Sequence, residues 1–81
     1  MMKTIQVRYF AILREQRGLA QENLTTGAAT AAEFYEELRG QHGFTLEAGR
    51  LRVAVNDEFV PWAAPLHEGD RLVFIPPVAG G

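Results

Sequence analysis

The sequence predicts an α+β fold, with one main helix packed across one face of a mixed sheet of about five strands. Three observations predict it. Residues 3–10 alternate Thr4, Gln6 and Arg8 with Ile5, Val7 and Tyr9, the period of a half-buried strand. Residues 30–41 place Ala31, Phe34, Tyr35 and Leu38 on one face at helical spacing. Three short apolar segments then follow, at 51–55, 59–60 and 71–75, separated by turn residues.

Each element has its own local cause. Phe10 breaks the first alternation, and Ala11 to Arg17 reads as a short helix stopped by Gly18. Gln21 to Thr25 is a second, weakly patterned strand. Thr30 and Glu33 have the spacing of a capping box, in which each side chain satisfies part of the helix start. That helix runs to about Gln41, with Gln41 or His42 on its apolar face and Glu36 and Glu37 turned to water. Residues 44–49 are irregular, with Leu46 as an anchor. Asn56-Asp57-Glu58 is a tight turn, because Asn and Asp tolerate left-handed backbone. Pro61 ends the short return strand. Leu66 to Asp70 is a turn in which Gly69 takes positive φ and Asp70 accepts local backbone hydrogen bonds. Trp62 reads equally as a core plug or a partner contact. Two strands, a crossover helix and a mixed sheet afterwards form the β-grasp, or ubiquitin-like, layout. A right-handed crossover sets the last strand beside the first, in the middle of the sheet.

Composition narrows the function. At 81 residues the chain is a single domain, residues 1–81, and a chain this short buries only about 60–65% of its unfolded surface. It has no cysteine, so its core must stabilise it, and the cysteine count fits a cytoplasmic location. No apolar run approaches the ~20 residues of a membrane span, and the start lacks the apolar stretch of a signal peptide. The net charge is −2, and the basic residues are scattered, which argues against a nucleic-acid surface. His42 and His67 have no ligand spacing and read as surface residues, so no metal site is expected. No nucleophile and base stand in a catalytic pattern, and Gly40, Gly43 and Gly49 do not form a phosphate loop.

The C-terminal run Phe74-Ile75-Pro76-Pro77-Val78-Ala79-Gly80-Gly81 is the strongest functional signal. Pro76 and Pro77 favour an extended path. Gly80 and Gly81 have no Cβ, so the last backbone units fit a narrow slot. Residues 76–81 can reach ~20 Å at about 3.3–3.6 Å per residue. That is far enough to carry a terminal carboxylate into another protein's active site.

Several segments together carry a resemblance. They are Tyr9-Phe10-Ala11 followed by Leu13-Arg14-Glu15 and Gly18, Val53-Ala54-Val55-Asn56, Leu66-His67-Glu68-Gly69-Asp70, and the run from Phe74 to Gly81. Over nearly its whole length the chain resembles the small subunit of molybdopterin synthase (MoaD) within the ThiS/MoaD group of ubiquitin-like sulfur carriers. The Gly-Asp turn and Gly-Gly end are shared with the thiamin-pathway carrier. The Pro76-Pro77-Val78 and Phe10-to-Glu15 segments favour the molybdopterin carrier.

The resemblance implies a carrier with no bound cofactor and no catalysis of its own. A ubiquitin-activating-type adenylyltransferase would use ATP to make the Gly81 adenylate. A sulfur donor system would then give the Gly81 thiocarboxylate (1-thioglycine). The charged chain would dock on the large subunit of molybdopterin synthase, which holds the active site and there passes the sulfur to cyclic pyranopterin monophosphate. Other readings are a thiamin-pathway carrier, a ubiquitin-like modifier joined to lysines, and an inert β-grasp module. Neither a nucleic acid nor a membrane is expected as a partner.

The last strand has a second apolar face, which reads as a docking surface, as a face filled by neighbouring loops, or as the mark of a central strand. Leu72 and Phe74 alternate with Val73 and Ile75, so both strand faces are apolar while one helix covers one of them. The expected partner surface comprises Phe74, Ile75, Pro76 and Val78, with Phe10 and Phe59 as extensions.

Overall fold

The computed structural model describes residues 2–76. The tail residues Pro77, Val78, Ala79, Gly80 and Gly81 lie outside the described residues, and with them the expectations placed on those five positions. Eight elements follow one another. Strand β1 is Lys3–Tyr9, helix α1 Ala11–Arg17, strand β2 Gln21–Thr26 and helix α2 Ala31–His42. A short 3-10 helix at Ala48–Arg50 leads into β3 (Arg52–Val55), β4 (Glu58–Val60) and β5 (Arg71–Ile75).

The five strands form one sheet in the order β2-β1-β5-β3-β4. The last strand lies beside the first and parallel to it, with Tyr9 opposite Phe74. All other pairs are antiparallel. The β-grasp layout expected from the element order is the one found. Asn56 and Asp57 have φ of 51° and 71°, the left-handed turn that returns β3 into β4.

One face of the sheet carries the core. Ile5, Val7 and Tyr9 of β1, Leu72 and Phe74 of β5 and Val53 of β3 are buried under Ala31, Phe34, Tyr35 and Leu38 of α2. Thr30 caps α2, its hydroxyl accepting the Glu33 backbone N–H at 3.2 Å. Tyr35 is the hub of the aromatic packing. Its ring lies 5.1 Å from that of Phe74 and is stacked at 6.1 Å on Phe44. Its hydroxyl donates to the Leu46 carbonyl at 2.6 Å, which satisfies the polar end of a buried ring. Trp62 stacks on Phe74 at 5.9 Å, so it is a plug at the edge of the core.

His42 corrects an expectation. It is half-buried beside Phe44, and its Nε2 is buried without a partner among the described residues. Burial, then the nearby Arg17, hold its pKa below the usual imidazole value.

Candidate functional site

The end of β5 defines the site, because the chain leaves the sheet there. Ile75 is paired with Arg52 at the start of β3. Phe10 follows the last β1–β5 pair, Tyr9 with Phe74, and so lies beside the same exit. The parallel pairing of β1 with β5 brings the β1–α1 turn to the exit, and the antiparallel pairing of β3 with β5 brings the β3 start there.

The face of the sheet opposite the core presents a strip at this end. Ala54 pairs with Phe59 on one side and with Val73 on the other, and Val73 pairs in turn with Arg8. Directly paired residues share a face. The strip thus runs Phe59, Ala54, Val73 across three strands, with Ile75 two residues further toward the exit. Phe59 is 60% exposed, whereas Ala54 is buried although no helix covers it. The Arg52 guanidinium lies over the Phe59 ring, 4.6 Å from its centroid, and holds the ring across the strip.

The rim is basic. Arg8, Arg52 and Arg71 occupy the same face. Arg71 reaches Asp57 at 3.2 Å, and no carboxylate among the described residues pairs with Arg8 or Arg52. A partner surface with apolar side chains ringed by acids would fit this strip.

The β1–α1 turn adds a second apolar element. Phe10 and Ile12 are exposed, while Leu13 is fully buried and anchors the short helix. Ala11 has φ of 50°, a strained value for a residue with a Cβ, at about 1–2 kcal/mol. That strain turns the chain abruptly from strand into helix. It leaves the Phe10 side chain outside, with no capping role at the helix start.

The Leu66–Asp70 turn works at the opposite end of β5. Gly69 has φ of 84° there. Asp70 is buried and accepts hydrogen bonds from the His67 backbone N–H at 2.8 Å and from Asn56 Nδ2 at 3.0 Å. The motif shapes the start of β5 and lies a strand's length from the exit.

The structure brings Ile75, Pro76 and Phe10 to one end of the sheet and sets Phe59 level with Val73, on the face opposite the core. It removes Phe74 from the expected surface. Phe74 is fully buried, because its side chain points to the helix-covered face and packs against Phe34, Tyr35 and Trp62. The residues of this face and turn that the sequence reading missed are Arg52, Val73 and Ile12, with Ala54 buried beneath them. Alternation along β3 would have put Arg52 and Ala54 on one face, but only the register sets them beside Phe59 and Val73.

Among the described residues no group of three or more His, Cys, Asp or Glu could hold a metal ion. No described helix is long and apolar enough to cross a membrane. The groups with displaced pKa values, Tyr9, Arg17, Glu22, Tyr35 and His42, belong to the core side and to the edge of α1. The exit strip offers apolar contact and fixed positive charge, which suits recognition better than proton transfer.

Comparison with known proteins agrees with this geometry. The chain is 37% identical over 81 residues to the molybdopterin synthase sulfur carrier subunit of Haemophilus influenzae, covering 95% of this chain and 99% of that protein. The crystal structure of SAMP1 from Haloferax volcanii superposes with a TM-score of 0.75 at 26% identity, covering 96% of this chain and 99% of that one. A chain of the protein–protein complex of subunits 1 and 2 of the molybdopterin-converting factor from Helicobacter pylori is 30% identical. It covers 100% of both chains with a TM-score of 0.64. Residues 7–81 match the ThiS family, and the chain belongs to that family.

Proposed function

We propose that this chain is the sulfur carrier subunit of a molybdopterin synthase, working in the cytoplasm, with the Gly81 carboxylate as its working group. The observation that carries the reading is the exit geometry. The sheet pairing ends β5 at Ile75, beside a partly exposed apolar strip with a basic rim. The 37% identity to a sulfur carrier subunit along nearly the whole chain supports the same reading.

The chemistry follows from the end group. A free α-carboxylate, with a pKa near ~3.5, is ionised at neutral pH and is a poor acyl electrophile. A ubiquitin-activating-type adenylyltransferase spends ATP to convert it to an acyl adenylate with a good leaving group. A sulfur donor then attacks the glycyl carbonyl, AMP departs, and a thiocarboxylate remains. Glycine leaves that carbon open to attack from either side. Gly80, Ala79, Val78, Pro77 and Pro76 form the tether, and Ile75, Phe59 and Phe10 form the docking surface for the large subunit. The large subunit supplies the active site in which sulfur passes to cyclic pyranopterin monophosphate. The acid, base and oxyanion donors belong to the partners.

Intact-mass measurement tests the reading. Incubation with ATP, the adenylyltransferase and a sulfur source is expected to replace one terminal oxygen by sulfur. Deletion of Gly81 is expected to abolish the exchange while the circular-dichroism spectrum stays native. Full conversion of the pterin by the deletion variant would refute the proposal. Co-purification with a pterin-binding large subunit, a thiazole synthase or lysine-linked proteins separates this role from a thiamin-type carrier and from a protein modifier.

A further inference from the structure

The chain contains seven arginines and a single lysine, Lys3, and their placement around the exit is uneven. Arg52 is paired with Ile75, and Arg8 with Val73 two residues earlier on β5. Both are exposed on the strip face. Lys3 stands at the other end of β1, and its Nζ is bound to the Ala28 carbonyl at 2.9 Å.

Distances along the sheet decide which side chains the acyl end can meet. Tyr9 is level with Phe74, so Lys3 lies about 26 Å from the level of Pro76 at about 3.3 Å per residue. The five residues after Pro76 extend at most about 18 Å. A tail laid straight back therefore stops short of the Lys3 backbone, on a lysine already engaged elsewhere. Arg52 and Arg8 are well inside that radius.

The two side chains differ in the chemistry that matters to an acyl electrophile. A lysine releases a neutral amine in a fraction that rises with pH, and that amine attacks carbonyls. A guanidinium stays protonated and has no lone pair to give. Two groups on one chain, joined by a short stretch long enough to span them, meet at up to about millimolar effective concentration. A lysine beside the exit would then attack the activated Gly81 carbonyl. A C–N bond would form, the C–O bond to AMP would break, AMP would leave, and the ammonium proton would pass to solvent. The product is a chain closed on itself by an internal amide, permanently lost as a carrier.

We propose that restricting the cations at the exit to arginine protects the activated Gly81 from self-acylation while keeping the basic rim that docks the partner. Arg8 and Arg52 are thus specificity-determining residues for where the acyl group goes. The inference rests on the carrier function proposed above.

The test uses the full chain carrying a C-terminal alkyl thioester as probe, held at mildly alkaline pH. Wild type, Arg52→Lys and Arg8→Lys are compared by intact mass and peptide mapping, with circular dichroism as the check on folding. At least one lysine variant is expected to lose the thiol and give a product one water lighter than the free acid, with Gly81 joined to the new lysine. Wild type is expected to give the free acid alone. Hydrolysis to the free acid in both variants would overturn the inference, as would an internal amide to Lys3 in wild type. Hydroxylamine trapping of the adenylate, with ATP and the adenylyltransferase, is run in parallel on wild type. Failure to form the hydroxamate overturns the carrier function, and the inference with it. A hydroxamate without cyclisation of the variants overturns the inference alone.

Discussion

Arg17 and Glu22 meet in a two-pronged ion pair, with Nε donating to Oε2 and the second prong reaching Oε1, each at 2.7 Å. The Tyr9 hydroxyl donates to the same Oε2 at 2.7 Å. The cluster ties the last turn of α1 to the start of β2 and the end of β1. It therefore braces both sides of the turn that carries Phe10 and the strained Ala11.

The cluster predicts a pH dependence of stability. The Arg17 hydrogen bond holds the Glu22 carboxyl below its usual range, against an opposing desolvation, and burial above all pushes the Tyr9 phenol up. A depressed carboxyl contributes stability that is present above its unfolded pKa, about 4.3, and is lost as pH falls through the lower folded value. Glu22→Gln is expected to lower the urea midpoint at pH 7. Its deficit against wild type should shrink steadily below about pH 4, as the native carboxyl becomes protonated. A deficit of constant size across that range would show that Glu22 acts through packing and not through its charge.

Phe74 is the residue on which sequence and structure part. Replacing it with Ala empties a site lined by Phe34, Tyr35 and Trp62 and is expected to cost about 3–5 kcal/mol. Phe74→Arg would put a charge among those rings and is expected to give no folded protein. Thermal denaturation of Phe74→Ala checks the first, and a native near-ultraviolet spectrum for Phe74→Arg would contradict the second.

That difference shows how far the chain could be read beforehand. The capping pair Thr30 and Glu33, the αL turn at Asn56-Asp57 and the αL cap at Gly18 are local rules, and each is found where the sequence places it. The β-grasp order follows from the succession of elements. The two apolar faces of β5 were also legible, but alternation says nothing about which face α2 covers. That depends on the parallel register of Tyr9 with Phe74, a pairing of residues 65 positions apart. The Tyr9–Glu22–Arg17 cluster and the Arg52–Phe59 stack depend in turn on the antiparallel registers of β1 with β2 and of β3 with β4, which alternation alone does not set. For His42 the helical spacing allows the apolar face while its place at the helix end suggests the surface, and the contact with Phe44 settles on a half-buried ring.

Phe59 tests the docking surface without touching the core. It is 60% exposed and its contact is the Arg52 guanidinium, so Phe59→Asp leaves Val53 and Phe74 packed as before. The substitution removes an aromatic anchor and sets an acid against a partner expected to be acidic itself. Binding to the large subunit is expected to weaken by about tenfold or more, the loss of about 1.4 kcal/mol or more typical of an interface anchor. Titration calorimetry with the large subunit measures it. An unchanged dissociation constant with a native circular-dichroism spectrum would remove Phe59 from the surface.

Asp70 allows a sharper test, because its two carboxylate oxygens have separate donors. Oδ2 accepts the His67 N–H and Oδ1 accepts the Asn56 amide, while the Asn56 Oδ1 accepts the Arg71 N–H at 3.0 Å. The carboxylate thus joins the turn before β5 to the turn after β3. Asp70→Ala leaves two donors without partners at a site only 8% exposed, at a cost of roughly 2–3 kcal/mol. Asp70→Asn preserves volume and one acceptor, yet either orientation sets its NH2 against a donor, His67 N–H or Asn56 Nδ2. Shape alone would let asparagine restore most of the loss. The need for two acceptors predicts that it recovers less than half of the deficit in urea unfolding, and recovery beyond that would show that packing, not hydrogen bonding, holds this turn.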